Sequence, residues 1–140
     1  MISGATPADL DAIAEIEHHS FPRPGARLIV ARAPRGAGGT EVIGFCNYWI
    51  VIDELHIHSI ATHPDHRRAG TGGRLLAHAL DEARALGCAL ATLEVRRGNA
   101  PAIALYQRAG FRGVHVRARY YQDSQEDALV MLCELTPRSP

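Results

Sequence analysis

The chain has 140 residues, and all fifteen of its basic side chains are arginine, balanced by seven Asp and eight Glu to a formal charge of zero. The absence of lysine excludes a Schiff-base amine, a P-loop lysine and a lysine general base, so any anion site must be built from arginine or backbone N–H groups. Neutrality argues against a direct nucleic-acid binder and against an acidic-membrane binder, both of which use a basic excess.

At this length a single domain over 1–140 is expected, burying roughly two-thirds of the surface its unfolded chain would expose. Thr6-Pro7-Ala8-Asp9 predicts a helix start with Thr6 as cap, and Leu10, Ile13, Ala14 and Ile16 recur at helical spacing to near His19. Phe21-Pro22-Arg23-Pro24-Gly25 cannot continue it. Strands are expected over 27–33 and 41–52, around a turn at 34–39, and a third over 55–62 after the turn at Asp53-Glu54. Leu75, Leu76, Ala79, Leu80, Ala83 and Leu86 then form one apolar helical face, closed at Gly87. A strand over 89–95 follows, then a short helix over 100–109 that Asn99 can cap and Gly110 can end. Segments 112–119 and 128–134 read as a hairpin whose second strand is covered on both faces. These patterns give six strands and three helices, an α+β or mixed α/β sheet with helices on both faces.

Cys46, Cys88 and Cys133 are odd in number, far apart and set in apolar stretches, the pattern of reduced core thiols. The longest apolar stretch, 42–52, is far shorter than the roughly 20 residues of a membrane span, and the first residues lack a signal-peptide layout. A cytoplasmic protein is expected, with no membrane partner. His56 and His58 alternate onto one strand face, with His63 and His66 beyond, but no carboxylate or thiolate cluster accompanies them, so no metal is expected.

The stretch from His63 to Arg74 lies between a strand and the long amphipathic helix. Gly70, Gly72 and Gly73 let backbone approach a ligand closely, and the orphan N–H groups of a helix N-terminus favour an anion. Arg67, Arg68 and Arg74 add positive charge, and 67–74 contains no acid. An ordinary glycine-rich connection with solvated arginines is the plain alternative.

Arg67-x-x-Gly70-x-Gly72 resembles the Q/R-x-x-G-x-G/A pyrophosphate loop of the GNAT acetyltransferases. Further segments, Ile60-Ala61-Thr62-His63-Pro64-Asp65, Leu93-Glu94-Val95-Arg96, Asn99 through Tyr106, Gly110-Phe111, Arg119-Tyr120-Tyr121 and Glu126-Asp127-Ala128, are similar to the RimI type, the ribosomal-protein-alanine N-acetyltransferases. Together they cover roughly 54–135 in the right order. The resemblance implies a GNAT-like, mixed and mostly antiparallel sheet of about seven strands with a splayed central strand pair. It also implies acetyl-CoA as cosubstrate, bound by Ile60, Ala61, Thr62, Arg67, Arg68, Ala69, Gly70, Thr71, Gly72, Gly73, Asn99 and Tyr106. Glu94 matches the general base and Tyr106 the general acid, while Phe21, Tyr120 and Tyr121 match substrate contacts.

The residues themselves leave plain readings open beside these. Glu94 shares a strand face with Thr92 and Leu90 and is equally a surface partner for Arg96 or Arg97. Tyr106 suits a core aromatic, Asn99 a helix cap, and Tyr120 and Tyr121 ordinary packing at a hairpin end. The implied acceptor is a protein or peptide N-terminus, with a ribosomal protein as the extrapolated target, and the chain is monomeric or homodimeric. A small-molecule amine is the alternative acceptor, and a non-catalytic acyl-CoA-binding module the alternative class. The match is poor before residue 40, where only 20–26 separate the first helix from the next strand.

Overall fold

The computed structural model describes residues 2–6, 9, 26–36, 38–66 and 70–135. Most of the helix expected before His19 lies outside these residues, as do Phe21, Arg67, Arg68 and Ala69. Among the described residues seven strands join in one sheet: β1 (Ile2–Gly4), β2 (Arg27–Pro34), β3 (Thr40–Val51), β4 (Glu54–Thr62), β5 (Leu90–Arg96), β6 (Arg112–Arg117) and β7 (Ala128–Glu134). Helix α1 spans Thr71–Ala85 and α2 Ala100–Arg108. The hydrogen-bonded order is β1-β2-β3-β4-β5-β7-β6. The strand absent from the pattern reading is β1, three residues long, too short for alternation to register.

Two compact units divide the chain, Met1–Trp49 with His58–Ala79, and Ile50–Ile57 with Leu80–Pro140, so β4 and α1 contribute to both. In the first, β1 pairs antiparallel with β2 and β2 with β3, with an irregularity at Ala31/Arg32. Val30 and Phe45 form a buried pair, packed by Ala5, Leu28, Val42 and Ala61. The expected Thr6 cap takes another form, in which the Thr6 backbone carbonyl rather than its hydroxyl accepts from Asp9 and the Asp9 carboxylate reaches back to Thr6. Asp9 N–H donates to Thr6 O at 2.9 Å, while Thr6 N–H and Oγ1 donate to Asp9 Oδ2 at 2.7 and 3.0 Å.

In the second unit, β4 pairs parallel with β5 from Glu54↔Leu90 to Ile57↔Leu93, although β4 continues to Thr62 and β5 to Arg96. β7 lies antiparallel between β5 and β6. Residues 128–133 of β7 are buried or half-buried throughout, as a strand covered on both faces should be. Helix α1 ends at Ala85, and Leu86 is 55% exposed rather than part of its apolar face. Gly87 takes φ +82°, the left-handed termination its position predicts. Strand β3 ends at Val51, because Ile52 turns the chain with φ +57° and is 94% exposed. Burial holds the Cys46 thiol far above its ordinary range, consistent with an inert core residue.

Candidate active site

In the first unit, the loop after β4 enters a short 3-10 turn, Pro64–His66, and reaches α1 at Gly70. Gly70 has φ +78°, a conformation a side chain resists, and its carbonyl accepts the first helical bond from Arg74 N–H at 3.1 Å. That bond makes Gly70 the cap, so the N–H groups of Thr71, Gly72 and Gly73 begin the helix without intrahelical partners. No acid sits in this first turn, and Arg74 reaches back to Thr71 Oγ1 at 3.4 Å. Three such donors at the positive end of a 15-residue helix are an arrangement that can accept an anion.

A glycine within β3 positions this first turn. A Cβ on Gly44 of β3 would lie 2.9 Å from Ala61 O, 3.2 Å from Thr71 Cγ2 and 3.3 Å from Leu75 Cδ1. Glycine therefore lets the first turn of α1 rest directly on β3, with Thr71 almost fully buried. Small residues inside apolar strands are the signal that identifies such close approaches. At the end of β4, His63 N–H donates to Ile43 O at 2.7 Å. Backbone groups alternate sides along a strand, so Ile60 and Thr62 direct theirs to the edge away from β3.

In the second unit the alternation of β5 is as expected. Ala91, Leu93 and Val95 are buried, whereas Leu90, Thr92, Glu94 and Arg96 are half-buried on the other face. Glu94 does not pair with Arg96 or Arg97. Its Oε2, shielded from solvent, lies 3.2 Å from Arg117 Nε without the alignment of a hydrogen bond. Arg96 instead takes Asp123 bidentately at 3.0 and 2.9 Å, and Arg97 takes Asp127 at 3.3 Å. The hydrogen bond from Arg96 holds the Asp123 carboxyl below its ordinary range. Sequence reasoning missed Arg117 because its contact reaches across an intervening strand, β7, from β6 to β5.

Tyr120 and Tyr121 follow β6 in a loop rather than standing in a strand, because β6 ends at Arg117 and Arg119 takes φ +50°. Their rings meet edge to face at 5.2 Å. The Arg117 guanidinium lies 5.5 Å from the Tyr120 ring centre, and that of Arg96 lies 4.1 Å from that of Tyr121. Burial raises the Tyr121 phenol above its ordinary range, partly opposed by Arg96. Gly98 N–H donates to Glu126 Oε2 at 3.1 Å and Arg119 N–H to Asp127 Oδ1 at 3.0 Å, anchoring the loop at both ends.

Tyr106, on α2, is 7% exposed and packs edge to face on Phe111 at 5.9 Å. Asn99 caps α2, its side chain accepting from Ala102 N–H at 3.3 Å. Among the histidines, His56 pairs with Glu54 at 3.0 Å, His66 with Glu41 at 3.5 Å, and His58 meets Trp49 edge-on. Among the described residues no three metal-ligating side chains converge, and no helix is long and apolar enough to cross a membrane.

Residues 5–111 match the Acetyltransferase (GNAT) family. The chain is 36% identical to the [ribosomal protein bS18]-alanine N-acetyltransferase of Escherichia coli K12, over 93% of this chain and 94% of that one. It is 30% identical to the putative enzyme of that description from Bacillus subtilis, over 88% and 87%. The crystal structure of the ribosomal-protein-S18-alanine N-acetyltransferase from Escherichia coli superposes with a TM-score of 0.84, covering 99% of this chain and 96% of that one at 33% identity. Nourseothricin acetyltransferase superposes at 0.80 with 25% identity, covering 96% and 98%.

Proposed function

The chain belongs to the acetyltransferase (GNAT) family and is an acetyl-CoA-dependent N-acetyltransferase, and on that premise we propose that its acceptor is the N-terminal α-amine of a protein, a ribosomal protein foremost. The observation that carries this reading is the 36% identity to a ribosomal-protein-alanine N-acetyltransferase over almost the whole of both chains. Both units then belong to one catalytic domain, 1–140, in keeping with a family match that runs through both. A cytoplasmic site of action fits a ribosomal acceptor.

Arg67, Arg68, Ala69, Gly70, Thr71, Gly72 and Gly73 would hold the pyrophosphate of acetyl-CoA. The orphan amides that open α1 and the acid-free first turn support this. Ile60 and Thr62 would offer backbone groups to the pantetheine arm and the thioester carbonyl, with Ala61 between them lying against Gly44. Asn99 would add a donor from the amide nitrogen that its capping oxygen leaves over. Phe21, Tyr120 and Tyr121 would grip the acceptor backbone.

Glu94 would take the proton from the acceptor amine, directly or through one water, as its nitrogen forms the bond to the acetyl carbon. Tyr106 would donate its phenolic proton to the departing sulfur as the C–S bond breaks. The acceptor's own chemistry supports a carboxylate base. An α-amine with pKa about 7.7–8.0 is roughly a tenth neutral at pH 7, whereas a lysine amine is less than about a thousandth neutral. No covalent enzyme intermediate is required.

The test is acetyl transfer, corrected for acetyl-CoA hydrolysis, across a library of N-terminal peptides and a panel of small amines. Transfer confined to peptide α-amines is expected. Preferred transfer to small amines would favour a second reading, for which the superposition on nourseothricin acetyltransferase speaks. Glu94→Gln should lower kcat at least tenfold while CoA still binds. Arg68→Ala should raise KM for acetyl-CoA, and an unchanged KM would remove its assignment.

A further inference from the structure

We infer that Arg117 is a positioning residue for the base, holding the Glu94 carboxylate in its reactive orientation and tying that orientation to the tyrosines that would grip the acceptor; this rests on the assignment of Glu94 as base. Four observations within one unit carry it.

The first is register. Arg96 pairs with Ala128 on β7, and Ala128 pairs with Arg117 on β6. Glu94 lies two residues before Arg96, so Glu94, Arg96, Ala128 and Arg117 occupy one face of the sheet. Ala128 carries only a methyl group there, which leaves the Arg117 side chain room to cross β7 toward Glu94. The second is the contact itself. Arg117 Nε stands 3.2 Å from Glu94 Oε2, an oxygen shielded from water that makes no aligned hydrogen bond. A carboxylate with one oxygen so occupied presents the other to an amine or a water.

The third observation is what holds Arg117. Its guanidinium lies by Tyr120, Tyr120 meets Tyr121 edge to face, and Tyr121 lies under Arg96. Arg96 is fixed in turn by Asp123 and, at 3.7 Å, Glu126. The contacts thus close a ring that leaves β5 at Glu94 and returns to it at Arg96. The fourth is that both ring-forming cations are used where they stand, one on the base and one on the loop. An acceptor displacing Tyr120 would move Arg117, and with it the base.

The measurement is steady-state kinetics on the full chain with the best peptide from the library. Arg117→Gln should lower kcat about tenfold, with KM for acetyl-CoA and the melting temperature unchanged. Arg117→Lys should recover part of that loss, since an ammonium can reach the carboxylate but lacks the planar fork. In a Glu94→Gln background, Arg117→Gln should cost nothing further, because the group it orients is gone. Arg112→Gln, on the same strand and paired with Glu134, serves as control and should leave turnover unchanged.

If Glu94→Gln loses its tenfold but Arg117→Gln keeps parental kcat, the base assignment stands and this inference fails. It fails equally if the two losses multiply in the double variant. If Glu94→Gln itself turns over normally, the base assignment falls and this inference with it.

Discussion

Glu94 illustrates what one residue's neighbours contribute. Strand periodicity places it on the face of Thr92 and Leu90, where it is found. Its cation comes from another element, and so does the environment in which a base would work. Tyr106 is the harder case, since burial against Phe111 is what a plain core aromatic would also show. Tyr106→Phe keeps the ring and removes only the hydroxyl. It should therefore lower kcat at least tenfold while calorimetric binding of CoA and the melting temperature hold. Parental turnover would leave Tyr106 as packing alone.

Asp9 offers a test of stability at the same scale. It is buried, which by itself would raise its pKa, but hydrogen bonds from Arg32 at 3.1 and 2.7 Å and from Thr6 outweigh that and leave the carboxyl lowered. A carboxyl lowered in the folded state stabilises above its unfolded pKa, near 3.9, and loses that contribution as pH falls through the folded value. Chemical denaturation below about pH 4 should show the loss, and Asp9→Asn should flatten that acid limb. Asp9→Ala should cost roughly 2–3 kcal/mol, less than a fully buried pair because Arg32 keeps some access to water.

Among the elements, α1 depends on a strand it does not touch in sequence. Gly44→Val should drive β3 against Ala61 O and the first turn of α1, costing about 1–3 kcal/mol by overpacking. Because the same turn offers the orphan amides, KM for acetyl-CoA should rise as well. A destabilised variant with unchanged KM would separate packing from anion binding. For α2, Asn99→Ala should cost about 1 kcal/mol through the lost cap, and Asn99→Asp should restore it. Both should raise KM for acetyl-CoA several-fold if the amide nitrogen serves the cofactor. A normal KM in Asn99→Asp would reduce Asn99 to a cap.

For the whole molecule, a ligand that binds only the folded chain stabilises it by mass action. At a hundredfold excess over Kd, acetyl-CoA should add about 2.7 kcal/mol and raise the melting temperature by roughly 8 °C. Scanning calorimetry with and without acetyl-CoA checks this. Turnover on a peptide should also rise with pH toward about 8, following the neutral fraction of its α-amine.

Much of this enzyme was legible from local pattern. The cap at Asn99, the left-handed stop at Gly87, the alternation along β5 and the Gly70 loop each depend on a few consecutive residues, and consecutive residues are what a sequence displays. So is the family, because its motif residues recur in order along the chain. Strand β1 escaped notice because three residues hold no period. The tertiary structure alone decided that Gly44 seats α1 and that Arg117, rather than Arg96 or Arg97, accompanies Glu94. Both outcomes follow from strand order and register. Residues distant along the chain become neighbours only when the β5-β7-β6 ladder and the β3–α1 packing form, and no spacing along the chain encodes that distance.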